Sequence, residues 1–217
     1  MSKIRAPHLL PLLLWSAACG AHPHSWIDMV SELNINRQGQ LTTLHLTWLF
    51  DEFYSASILD DAKANGHTPE QELKIFAKQT IDNLATENYL TRMSWHGKKI
   101  RFSQPVTDYQ ASMVQGQIRF EYRLPLPTPL PLDEQGVELA IYDSTYYVEM
   151  LHKQVEAIQL TGEGASLCQR QLIPPNPSAQ QQAYAMSLDK TEQADEGLGT
   201  AFAEKVEIRC HKAGESR

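Results

Sequence analysis

The ten residues Leu41 to Phe50, LTTLHLTWLF, set the fold class of this chain. Leu44, Leu46, Trp48 and Phe50 recur at every second position, the period of a strand with one face buried. Just upstream, WIDMVSELNI (residues 26–35) alternates more loosely, and NRQGQ between the two stretches reads as a turn. A hairpin is therefore expected at the start of the domain. The return strand leads into DEFYSASILDDA, whose spacing suits a short helix capped by Asp51. A longer helix is expected from Pro69, with Thr68 as its cap. Leu73, Phe76, Ala77, Ile81 and Leu84 form its apolar stripe.

Strand character then returns. MSWHGKKIRF is expected to turn at His96-Gly97-Lys98, and DYQASMVQGQIRFEYRLPL near Gln115-Gly116. LPLPTPLPLDEQG reads as a surface loop, because proline cannot donate to a ladder. VELAIYD, VEAIQL and AEKVEIRC are further strands. Residues 174–200 are rich in Pro, Gln, Ser and Gly and read as a flexible segment with one helix around Ser178 to Leu188. The sum is roughly eight strands, which predicts a mainly β fold. It is an antiparallel β-sandwich-like domain with an α-helical insertion at residues 51–91.

The first 21 residues have a different logic. Lys3 and Arg5 precede an apolar run from Leu9 to Trp15, and small residues follow to Ala21. This is the order of a secretory signal, and the run is short of the ~20 residues that cross a bilayer. Residues 1–21 are thus expected to be a signal peptide and residues 22–217 a single periplasmic domain with no membrane span. Cutting after Ala21 makes His22 the new N-terminus; cutting before Cys19 would instead permit lipidation there. Cys168 and Cys210 then remain, and an oxidising compartment favours joining them as a disulfide over using them as a thiolate metal pair. A formal net charge of -7 argues against a nucleic-acid partner.

Three stretches carry chemistry. In AHPHSWID, an extended backbone would align His22, His24, Trp26 and Asp28; two imidazoles with a carboxylate suit Zn²⁺, Cu²⁺ or Ni²⁺. Pro23 has no amide proton to lose, so the usual amino-terminal Cu²⁺ motif is excluded. In WLFDEFYS, Asp51 and Glu52 serve either as an N-cap and a first-turn acid or as ligands completing the histidine site. In YDSTYYVEM, Asp143 either makes a turn or acts as a ligand with tyrosine hydroxyls behind it. Asp61 to Glu72 resembles a calcium loop, but Lys63 stands where an oxygen is needed. His45, His67, His96, His152 and His211 read as isolated surface residues. No catalytic motif such as GxSxG or HExxH is found, and no enzyme is expected.

Taken together, AHPHSWID, WLFDEFYS and YDSTYYVEM resemble a family of exported bacterial proteins of unknown function, labelled the periplasmic component of an ABC-type transport system. The resemblance runs from the cut site to the last cysteine. It implies a link with nickel/cobalt-type permeases and, in one branch, with zinc uptake. By that resemblance His22, His24, Asp51, Glu52 and Asp143 are the metal candidates. The expected function is a periplasmic accessory protein that binds a transition metal, zinc first, and serves an inner-membrane permease. A copper(II) carrier and a non-metal transporter-docking module are the alternatives.

Overall fold

The computed structural model describes residues 23–188, 194–195 and 197–211. The expected first hairpin is β1 (Ser25–Ile35) with β2 (Gln40–Phe50), paired antiparallel so that Ile27 faces Phe50 and Leu33 faces Leu44. In β1 every odd-numbered residue from Ser25 to Ile35 is buried. Helix α1 (Glu52–Ala64) follows with Asp51 as its N-cap, and α2 (Pro69–Thr86) carries a capping box between Thr68 and Gln71. The five residues of the expected α2 stripe are buried. Ser55, unremarked in the sequence, locks α1 to the sheet: its hydroxyl donates to the Asp51 carbonyl and accepts from the Ile118 N–H.

After α2 come β3 (Thr91–Trp95), β4 (Lys98–Ile100), β5 (Tyr109–Val114), β6 (Gln117–Pro131), β7 (Val137–Ile141), β8 (Val148–Leu151), β9 (Ile158–Thr161) and β10 (Cys168–Ile173). The chain closes with α3 (Ala179–Ser187), α4 (Leu198–Phe202) and β11 (Lys205–Cys210). Both tight turns fall where expected. His96-Gly97 and Gln115-Gly116 all have positive φ, as two-residue turns matched to strand twist require. The strands form two sheets. One runs β5-β6-β2-β1-β8 with β9 also paired to β1; the other runs β10-β11-β7-β3-β4. A single apolar cluster draws on both sheets and on α2. The fold is mainly β with a helical insertion, as expected. Parallel pairing of β1 with β8 and β9 is the departure from a purely antiparallel sandwich.

The proline-rich stretch corrects the sequence reading. Rather than looping out, Leu124 to Pro131 continues β6. Two features make this possible. β5 ends its pairing at Tyr122, so the rest of β6 is an edge on that side. The register against β2 also shifts between Leu41 and Thr43, a bulge that absorbs the missing N–H groups. The helix expected around Ser178 to Leu188 is α3, which Ser178 caps with a capping box to Gln181. Cys168 and Cys210 are a cross-strand pair joined by a disulfide, which removes the thiolate alternative. Residues 61–72 form the end of α1, a short link and the start of α2, with His67 bonded to Glu72 at 2.7 Å.

Candidate functional site

The three chemistry-bearing stretches meet at one end of the six-stranded sheet. Pairing alone brings them there: Ser25 lies beside Val148, and Ile27 beside Phe50. His24, just before β1, donates its N–H to the Tyr147 carbonyl at 2.9 Å, and its ring lies over the Tyr147 ring with centroids 4.6 Å apart. Asp51, at the end of β2, accepts at Oδ2 from the Ser25 hydroxyl (2.7 Å) and the Trp26 N–H (3.0 Å). At Oδ1 it accepts from the Tyr54 N–H (2.8 Å). Its own N–H returns to the Trp26 carbonyl at 3.0 Å.

Asp143 organises the other wall. Its Oδ1 accepts from the Thr145 N–H at 2.9 Å, and its Oδ2 from the Tyr147 and Val148 N–H groups at 3.0 and 3.1 Å. That turn aims the Tyr147 carbonyl and ring at His24. α4 backs it closely: Gly197 and Gly199 both donate to the Ser144 carbonyl, and a Cβ on Gly199 would fall 1.8 Å from the Asp143 carbonyl oxygen.

The electrostatics follow from these contacts. Burial pushes the Asp51 carboxyl up, but the N–H groups of Tyr54, Trp26 and Phe53 and the Ser25 hydroxyl outweigh it. The group ends below the usual aspartate range. Tyr54 is raised, first by burial and then by the Asp51 and Tyr147 charges. Six large apolar side chains are exposed among the described residues. Four belong to this end: Trp26 at 47 %, Phe53 at 88 %, Tyr54 and Tyr147.

The expected ligand set is thus distributed unevenly. His24 and the exposed Glu52 of the first α1 turn present side chains at this end. Asp51 and Asp143 are also here, but their oxygens are largely occupied by the chain's own donors, so they act as supports for the two walls. Asp28, aligned with Trp26 on the outer face, is paired with Lys153. His22 lies outside the described residues. Among the described residues no three His, Cys, Asp or Glu side chains converge in a way that would hold a metal.

One constellation was missed in the sequence. His152, read there as a surface residue, is 3 % exposed; its Nε2 lies 2.8 Å from Ser31 Oγ, and its Nδ1 3.1 Å from Glu204 Oε2. The His152 N–H donates to the same oxygen at 2.6 Å. The relative positions are those of a Ser–His–acid triad. Ser31, however, is fully buried, so the closed fold offers a substrate no approach. The trio ties β1, the end of β8 and the start of β11 across the core. A signal was present: Ser31 shares parity with the inward residues of β1, His152 with Met150, and Glu204 with Val206 and Ile208. His45, His96 and His211 are also partnered, by Glu32, Asp133 and Glu134.

Comparison with known proteins gives relatives without assigned functions. Residues 8–210 match a family described as a protein of unknown function, DUF1007. An uncharacterised protein of Haemophilus influenzae is 32% identical over 192 residues, covering 88% of this chain and 91% of the relative. An uncharacterised 15.5 kDa protein in the trpE 3' region of Spirochaeta aurantia is 30% identical over 101 residues, 46% of this chain and 70% of the relative.

Proposed function

This chain belongs to the DUF1007 family of proteins of unknown function, and from the meeting of its three motifs we propose that it is an exported, transition-metal-binding accessory protein. Its metal is Zn²⁺ first, with Cu²⁺ and Ni²⁺ competing, and its partner is an inner-membrane permease. The observation that carries this reading is the His24–Tyr147 contact, with Asp51 bonded to the residues on the other side of His24. A histidine so placed is held in one region of space by three distant segments, as a ligand must be. His22, two residues earlier, supplies the second imidazole. Cleavage after Ala21 would add its free amine. Glu52 is the carboxylate with capacity for a metal. Asp51 and Asp143 hold the walls.

An open site of this kind suits transfer better than storage, because a ligand set with N and O donors and an exposed face exchanges metal readily. Irving–Williams ordering favours copper over zinc at any such set, so a competition between the two ions belongs in the test. Zn²⁺ and Cu²⁺ titrations of wild type and a His22→Ala, His24→Ala double variant are the experiment: binding lost in the variant supports the reading, and equal binding refutes it.

A second reading rests on a different observation. Trp26, Phe53, Tyr54 and Tyr147 are exposed aromatic side chains on the segments that meet at this end, and aromatic side chains anchor protein interfaces. This is what a transporter-docking module would present, with or without a metal. Titration of a detergent-solubilised permease against metal-free protein separates the two.

A further inference from the structure

The second sheet carries a groove of about 620 Å³ on its outer face, whose lining does not include His24. Its floor is half-buried, formed by Ala140 of β7 and the ring of Tyr142 just beyond β7. Its walls invert the charge of the molecule. In a chain of formal charge -7, four cationic side chains line it, Arg92, Lys99, Arg101 and Lys205, against the two carboxylates of Glu87 and Glu138. Those carboxylates compensate little. Lys205 approaches Glu138 only to 3.9 Å, and among the described residues Lys99 and Arg101 make no ion pair.

One cation is held in place before any ligand arrives. The Arg92 guanidinium lies over the Tyr142 ring, 5.7 Å from its centroid, and donates from Nη1 to the Glu87 carbonyl at 3.2 Å. Thr200 of α4 fixes the far edge of that ring by donating to its hydroxyl at 3.2 Å. The Glu87 carbonyl is itself set by an unusual turn: Asn88, Tyr89 and Leu90 all have φ between 51° and 58°, and Leu90 N–H returns to Glu87 at 3.0 Å. Left-handed backbone at three consecutive non-glycine residues is costly, and here it supports the Arg92 end of the groove.

We infer that this groove binds a small organic polycarboxylate. Four cations contributed by β3, β4, the residue after β4 and β11 ask for a ligand with several separated anionic groups rather than one. The volume is that of a small-molecule site. A planar guanidinium matches a carboxylate through two parallel hydrogen bonds. The apolar floor takes an aliphatic backbone. The lining holds no glycine, the residue that usually lets a backbone loop close around a phosphate.

The test is calorimetric titration of metal-stripped protein with tricarballylate, which keeps the result independent of the metal reading. The comparison pair is a Lys99→Glu, Arg101→Glu double variant and a Lys63→Glu, Lys74→Glu double variant, whose charges change equally on α1 and α2. Thermal melts confirm that both remain folded. Saturable one-to-one binding, weakened about tenfold or more in the groove variant alone, is the expected result. Absence of saturable binding, or equal weakening in both variants, overturns the inference.

Discussion

Ser25 Oγ donates to Asp51 Oδ2 at 2.7 Å across 26 positions of sequence, fastening the start of β1 to the end of β2 and the start of α1. One carboxylate therefore caps a helix, satisfies the Trp26 N–H and fixes the residue that follows His24. Stability and site geometry are coupled at this residue. Replacing Asp51 by Ala is expected to cost about 1–2 kcal/mol, the range for loss of a helix cap, and to loosen the N-terminal segment. Urea unfolding measures the first effect, and hydrogen exchange at Trp26 and Tyr54 the second.

The same residue sets an acid limit. Its folded pKa is depressed, so its contribution is fully present above the unfolded value of about 3.9 and is lost as pH falls below it through the lower folded value. Stability of wild type should drop through that window. Asp51→Asn should flatten the drop. A pH series of melts between neutrality and strong acid checks this, and a parallel fall in both proteins would assign the acid sensitivity to other groups.

Gly199 sits so close to the Asp143 carbonyl that any Cβ must displace one of them. Gly199→Ala is expected to shift the 143–147 turn and with it the Tyr147 ring that faces His24. A change in the His24 ring resonances by NMR, together with a clear loss of stability because the clash is with backbone, is the expected outcome. Unchanged resonances would mean the turn is held without α4.

Ser31, His152 and Glu204 are the polar tie through the core. Glu204→Ala leaves the His152 N–H and imidazole without their buried acceptor, a cost of about 1–3 kcal/mol per unsatisfied group. Ser31→Ala removes one weaker partner and should cost less. A double-mutant cycle between positions 31 and 204 should show coupling through His152; strict additivity would deny that the three act as a unit.

The Cys168–Cys210 bond closes a 42-residue separation and is expected to contribute about 4 kcal/mol in the chain-entropy model. Denaturant unfolding with and without reductant reads this directly.

Alternation made β1, β2 and both glycine turns legible, because each is encoded within a dozen residues. The α2 stripe and its cap were equally local. Leu124 to Pro131 misled for the opposite reason: a proline-rich strand is allowed only by an open edge and a bulge, and both belong to neighbouring strands. Parallel pairing of β8 and β9 with β1 is likewise a long-range fact. At the site, the order of motifs picked out segments that the fold brings together, but Asp51 and Asp143 were indistinguishable from ligands. A capping aspartate and a coordinating one have the same neighbours in sequence and differ only in which donors reach them. His152 was misjudged because a histidine in isolation looks exposed; its parity with Met150 pointed inward.

Metal binding by His22 and His24 is the central claim, and isothermal titration of the chain beginning at His22 with Zn²⁺, repeated on His22→Ala, His24→Ala, measures it most directly. The account predicts one saturable site in the wild type, weakened about a hundredfold or more in the double variant, with the melting temperature of the metal-free forms unchanged. A wild-type protein that takes up no Zn²⁺, Cu²⁺ or Ni²⁺, or a variant that binds as tightly as its parent, would contradict it.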